Sequence, residues 1–85
     1  MKEFSYVITD KEGIHARPAG LLVKEAAKFA SDIKVAKGDK RGDLKRIFSV
    51  MGLGAKCGDT LTVTISGADE DAAAAAVEAF LKANM

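Results

Sequence analysis

The segment Gly13-Ile14-His15-Ala16-Arg17-Pro18-Ala19 holds the residues of this chain best suited to chemistry. Pro18 belongs in the first turn of a helix, where the N–H that proline lacks has no helical acceptor in any case. That places His15 at or near the N-cap, directly after a turn that Gly13 permits. A ring nitrogen there can accept a hydrogen bond from a free N–H of the first turn. The helix dipole and Arg17 both disfavour an imidazolium, so a neutral, nucleophilic ring is expected near neutral pH. A phosphoryl group taken by that nitrogen would be held as a dianion by the backbone N–H groups of Ala16 and Arg17 and by the Arg17 guanidinium. Such a site activates the nucleophile before transfer and stabilises charge afterwards, with no metal and no cofactor. A histidine beside a turn is equally at home as a surface or capping residue. A histidine nucleophile ordinarily also has a visible base or carboxylate partner; Glu12 and the C-terminal carboxylate are the candidates here.

The elements that must position this segment follow from periodicity. Residues 2–9 alternate, with Phe4, Tyr6 and Ile8 on one face and Ser5, Val7 and Thr9 on the other, which predicts a strand. From residue 16 the period becomes helical: Ala19, Leu22, Val23, Ala26, Phe29 and Ala30 share a stripe that runs to Ser31-Asp32. Ile33 and Val35 mark a second strand, a Gly-containing turn at Lys37-Gly38-Asp39-Lys40 leads into a third, and Ile47, Val50 and Met51 space a short second helix. Gly52, Gly54 and Gly58 mark a loop before the strand 60–66, where Leu61, Val63 and Ile65 face inward. Asp69 is the expected N-cap of a last helix carrying Ala73, Ala76, Val77, Phe80 and Leu81 on one stripe. The resulting order βαββαβα predicts an α+β open-faced sandwich, a four-stranded antiparallel sheet with three helices packed on one face.

Size and composition narrow the function. Eighty-five residues suffice for one domain, read as spanning residues 1–85. A single cysteine forms no internal disulfide, and no Cys or His pair has metal-ligand spacing. The apolar runs are too short to span a membrane, and Glu3 interrupts the place where a signal peptide needs its hydrophobic run, so a cytoplasmic protein is expected. Thirteen Lys and Arg against twelve Asp and Glu give +1, yet residues 11–56 carry eleven cations and five acids, or +6. Lys37, Lys40, Arg41, Lys45 and Arg46 cluster, but acids interleave with them and aromatics do not, which argues against nucleic acid.

The segment 13–19 resembles the active-site signature of the HPr family, the histidine-containing phosphocarriers of the bacterial phosphoenolpyruvate-dependent sugar phosphotransferase system. Length, element order, Leu44-Lys45, Ile47, Val50-Met51, Leu53-Gly54 and Gly67-Ala68-Asp69-Glu70 also fit that family, so the resemblance covers essentially the whole chain. It implies that His15 accepts a phosphoryl group from enzyme I, in the family on Nδ1, and passes it to sugar-specific IIA components. It also implies docking of both partners through the first two helices. Many relatives carry a regulatory serine just before the second helix; this chain has Arg46 there, and Ser49 is not marked as a substitute.

Arg17, Lys24 and Lys28 share a helical face around Gly20 and Leu21, an arrangement suited to a protein partner with an acidic rim. A solvated helix face would read the same way. Ile47, Phe48 and Met51 do not all point inward, since Ile47 and Phe48 stand about 100° apart on a helix; Phe48 is the candidate for an exposed apolar contact, and it could equally cover the edge of the core. With Lys45, Ile47 and Met51 these residues form the expected docking surface of a monomer. The glycine-rich stretch 52–58 matches neither phosphate-loop pattern, and Cys57 reads as a passive thiol. The alternative from another class is a regulatory module of the same fold that docks partners without carrying phosphate. Intact His15 favours the carrier.

Overall fold

The computed structural model describes residues 1–11 and 16–84, with Ala16 and Arg17 as helical backbone only. Among them, strands β1 (Lys2–Val7), β2 (Asp32–Lys37), β3 (Lys40–Asp43) and β4 (Thr60–Ser66) are joined by helices α1 (Ala16–Ala27), α2 (Ile47–Gly52) and α3 (Glu70–Asn84). The strands pair antiparallel in the order β1-β4-β2-β3. Register sets Phe4 beside Val63, Tyr6 beside Leu61, and Ile33 and Val35 beside Ile65 and Val63, so one sheet face is continuously apolar. Ala19, Leu22 and Ala26 of α1, Val50 of α2, and Ala73, Val77 and Leu81 of α3 are fully buried in the core that covers it. Burying a Leu, Ile or Val side chain contributes about 1.5–3 kcal/mol. The opposite face presents Thr62 and Thr64 with Lys34, Arg41 and Asp43 as an open hollow among the described residues.

Boundaries shift where side chains and neighbouring loops capture backbone groups. β1 stops at Val7 rather than Thr9, because the Ile8 N–H donates to the Asp59 carbonyl at 3.0 Å and the Ile8 carbonyl accepts from Gly58 at 2.8 Å. Helix α1 ends at Ala27, short of the expected Ser31-Asp32. The N–H groups of Lys28 and Phe29 fall into tighter bonds to Glu25 and Ala26, and those of Ala30 and Ser31 donate to the Asp69 carboxylate at 2.8 and 2.9 Å. Phe29 still packs on the core, whereas Ala30 leaves the stripe and is exposed.

Asp69 departs from its expected role. Its backbone carbonyl accepts from Ala73 at 2.9 Å, as a residue at the start of α3 should, but its side chain reaches across to the corner between α1 and β2. The buried Ser31 hydroxyl donates to the same carboxylate. This hydrogen bond first, then that from Ala30, holds Asp69 below its ordinary pKa. Gly67 makes the approach possible, since a Cβ there would stand 2.6 Å from the Ser31 Cα.

Candidate functional site

His15 and the turn before it, residues 12–15, lie outside the described residues, and so do the expectations placed on them. What the structure supplies is the helix that follows His15 in the chain. Pro18 is buried at the third position of α1, Ala19 is buried beside it, and the first turn contains no acidic residue. The N–H groups of Ala16 and Arg17 have no acceptor within the helix, so this end carries the positive pole of the α1 dipole with no carboxylate of its own to neutralise it. Such an end is chemically suited to an anion.

The residues expected from the sequence to dock partners fall on α1, just past it, on α2 and in the turn between β3 and α2. Gly20 sits at the contact between the helices, where an added Cβ would lie 3.8 Å from the Ile47 Cδ1. Beside that contact α1 exposes Leu21 (45%) and α2 exposes Phe48 (86%) and Met51 (40%). Ile47 packs partly against the core. Of the two, Phe48 faces outward and Ile47 packs on the core, which resolves the alternative that Phe48 covers the core edge.

The cations divide into two kinds. Lys28, one residue past α1, pairs with Glu25 at 3.2 Å, and the Lys45 ammonium donates to the Phe29 carbonyl at 2.7 Å, tying the exit of α1 to the entry of α2. Lys24 is exposed, and no hydrogen bond or ion pair to another described residue engages it. Arg46 precedes α2 as its N-cap, makes no side-chain capping bond, and approaches Asp43 only at 3.9 Å.

The entry to α2 is organised by Asp43, which sequence reasoning missed. One of its carboxylate oxygens accepts from the Lys45 N–H at 2.9 Å, and its carbonyl accepts from the Arg46 N–H at 3.0 Å. The other carboxylate oxygen takes Lys34 at 3.4 Å. Burial pushes the Asp43 carboxyl up, but the bond from Lys45 and then the contacts with Lys34 and Arg46 outweigh it and hold the group below its usual range. The signal was an Asp two residues before a turn N–H, the Asx-turn spacing. Ser49 is half-buried with its Cβ and carbonyl against Gly42, where an added Cβ would stand 3.0 Å from the Ser49 oxygen.

Other singled-out groups lie apart from this surface. Cys57 is exposed and its thiol donates to the Thr9 carbonyl at 3.7 Å. Lys37 is held by the Gly54 carbonyl at 3.3 Å and Asp59 at 3.5 Å, which splits the basic cluster read from the sequence. A shallow hollow of about 570 Å³ lies on the open sheet face, lined by Glu3, Lys34, Arg41, Thr62 and Thr64 among others, and contains none of the candidate site residues. Among the described residues no helix is long and apolar enough to cross a membrane.

Against this geometry, comparison with known proteins converges on one family. A family model described as "PTS HPr component phosphorylation site" matches residues 2–83. Phosphocarrier protein HPr of Mycoplasma genitalium is 47% identical over 85 residues, covering 99% of this chain and 97% of that protein. The solved structure of the histidine-containing phosphocarrier protein of a Mycoplasma is similar with a TM-score of 0.90 and 44% identity, covering 93% of this chain and 90% of that one. An HPr from Thermoanaerobacter tengcongensis gives a TM-score of 0.93 at 38% identity, covering 98% and 93%.

Proposed function

Because the chain belongs to the HPr family of phosphocarriers of the phosphotransferase system, we propose that His15 is its phosphoryl acceptor, with enzyme I as donor and sugar-specific IIA components as recipients. The bond from phosphorus to the donor atom breaks as a bond to the His15 ring nitrogen forms, and the reverse exchange with the next acceptor returns the ring to its neutral state. The observation that supports this most is the start of α1 immediately after His15 in the chain, with Pro18 seated in the first turn and no acid beside it. The backbone N–H groups of Ala16 and Arg17, with the Arg17 guanidinium, hold the transferred dianion. Gly20, Leu21, Lys24, Lys28, Lys45, Ile47, Phe48 and Met51 receive the partner proteins, which complete each transfer site. The carrier works in the cytoplasm as one monomeric domain.

A reconstituted relay tests this reading. With phosphoenolpyruvate, enzyme I and a IIA component, the chain is expected to carry phosphate to IIA, and His15→Ala to stop it while retaining the native circular dichroism. Continued IIA phosphorylation through folded His15→Ala would refute the assignment.

A further inference from the structure

The hollow of about 570 Å³ on the open face of the sheet has no part in phosphoryl transfer as proposed above. Its shape follows from the register. Two rows of side chains run across the four strands on this face: Glu3, Thr64, Lys34 and Asp43 in one, and Ser5, Thr62, Ala36 and Arg41 in the next. Ala36 is the shortest side chain in either row, and the longer ones around it form the walls. The charges divide by whether the fold already uses them. Asp43 accepts from the Lys45 N–H at 2.9 Å and takes Lys34 at 3.4 Å, so this acid and this cation are engaged with each other. Arg41 and Glu3 are exposed, and neither side chain forms a hydrogen bond or ion pair with another described residue. The half-buried Thr62 and Thr64 stand on β4 between them, each with a hydroxyl that can donate and accept. The hollow thus has a free cation on its β3 side, a free anion on its β1 side and hydroxyls in the middle.

We propose that this hollow binds a short zwitterionic peptide, its carboxylate on Arg41, its ammonium on Glu3, and its amide against Thr62 and Thr64. Three strand spacings of about 4.8 Å and one two-residue step set the Glu3 and Arg41 backbones about 16 Å apart. Side chains leaning inward bring their charged ends to about 10–12 Å, which an extended dipeptide with a hydrogen bond at each end spans. The guanidinium fork suits a carboxylate in particular, since it offers two parallel donors. A second copy of this chain fits the face poorly: four strands of this length present roughly 250 Å², against about 800 Å² per partner in a stable interface. Nucleic acid fits no better, because the charges are of both signs and Phe4 and Tyr6, in register with Val63 and Leu61, lie on the other face.

The test is an amide-shift NMR titration of the isotopically labelled full chain with the dipeptide Ala-Ala. The expected result is saturable movement of the Ala36, Arg41, Thr62 and Thr64 amides, with a Kd of about 1–10 mM. Acetylating the peptide amine, or amidating its carboxylate, should each weaken binding about two- to fivefold. Arg41→Ala should weaken Ala-Ala binding to the same extent and become indifferent to amidation; Glu3→Gln should become indifferent to acetylation. Both positions are exposed, and amide shifts elsewhere that match the parent chain report that each variant is folded. No saturable movement at these amides, equal binding of a peptide blocked at both ends, or unchanged binding in folded Arg41→Ala and Glu3→Gln would each overturn the inference. Movement of the same amides with protein concentration, in the absence of peptide, would make a second copy the occupant and overturn it as well.

Discussion

Replacing Phe48 by alanine separates docking from folding, because its ring is 86% exposed while Val50, two residues on in the same short helix, is fully buried. An exposed substitution that touches no cap, core or polar network shifts stability by no more than about 0.5 kcal/mol, or roughly 4 °C in Tm for a domain of this size. Val50→Ala removes buried hydrocarbon and leaves a void beneath α2, at a cost of about 2 kcal/mol, or roughly 8–16 °C. The order reverses at the partner. Covering an exposed phenylalanine is worth about 1.5–3 kcal/mol, so its loss should raise the KM for phosphoryl transfer from enzyme I about 10- to 150-fold. Thermal unfolding and transfer kinetics on the two variants form the assay. A Tm loss in Phe48→Ala comparable to that in Val50→Ala would mean that the ring belongs to the core. An unchanged KM in a normally stable Phe48→Ala would refute the assignment of this face to docking.

Three further outcomes follow from the same geometry. Asp69 and Asp43 are held below their ordinary values when folded, so the stability they confer is complete above the unfolded carboxylate value of about 4 and is lost as pH falls through the lower folded values; acid unfolding should therefore steepen below about pH 4, and Asp69→Asn should flatten that limb, an unchanged limb contradicting the role given to the Asp69 carboxylate. Gly67→Ala places a Cβ against the Ser31 backbone and should cost about 1–3 kcal/mol in urea unfolding, whereas Gly52→Ala, with nothing within 4 Å, should not show that overlap penalty. Arg17→Ala should slow phosphoryl transfer from enzyme I about 10- to 150-fold, the worth of one hydrogen bond to a charged group, without abolishing it, and an unchanged rate would remove Arg17 from phosphate stabilisation.

Much of this molecule was legible in local pattern. Alternation at Phe4-Tyr6 and Leu61-Val63-Ile65 placed two paired strands and their inward faces, and the spacing of Ala73, Val77 and Leu81 placed the buried stripe of α3. Pro18 marked the start of α1 correctly, while the expectations placed on His15 lie outside the described residues. What could not be read was action at a distance in the chain. Asp69 carries the composition of an N-cap, and nothing local reveals that two N–H groups 38 and 39 residues earlier would claim its carboxylate and end α1 early. In the same way nothing local reveals that Glu25 pairs with Lys28 or that the Phe29 carbonyl accepts from Lys45, two of the cations expected at the docking surface.

The central claim is that His15 carries phosphate as a phosphoramidate, and intact mass reports it most directly. Incubated with enzyme I and phosphoenolpyruvate, the chain should gain the mass of one phosphoryl group, lose it on brief acid treatment, and show no gain in folded His15→Ala. An acid-stable adduct, a gain that survives in His15→Ala, or no gain with an active cognate enzyme I would contradict it.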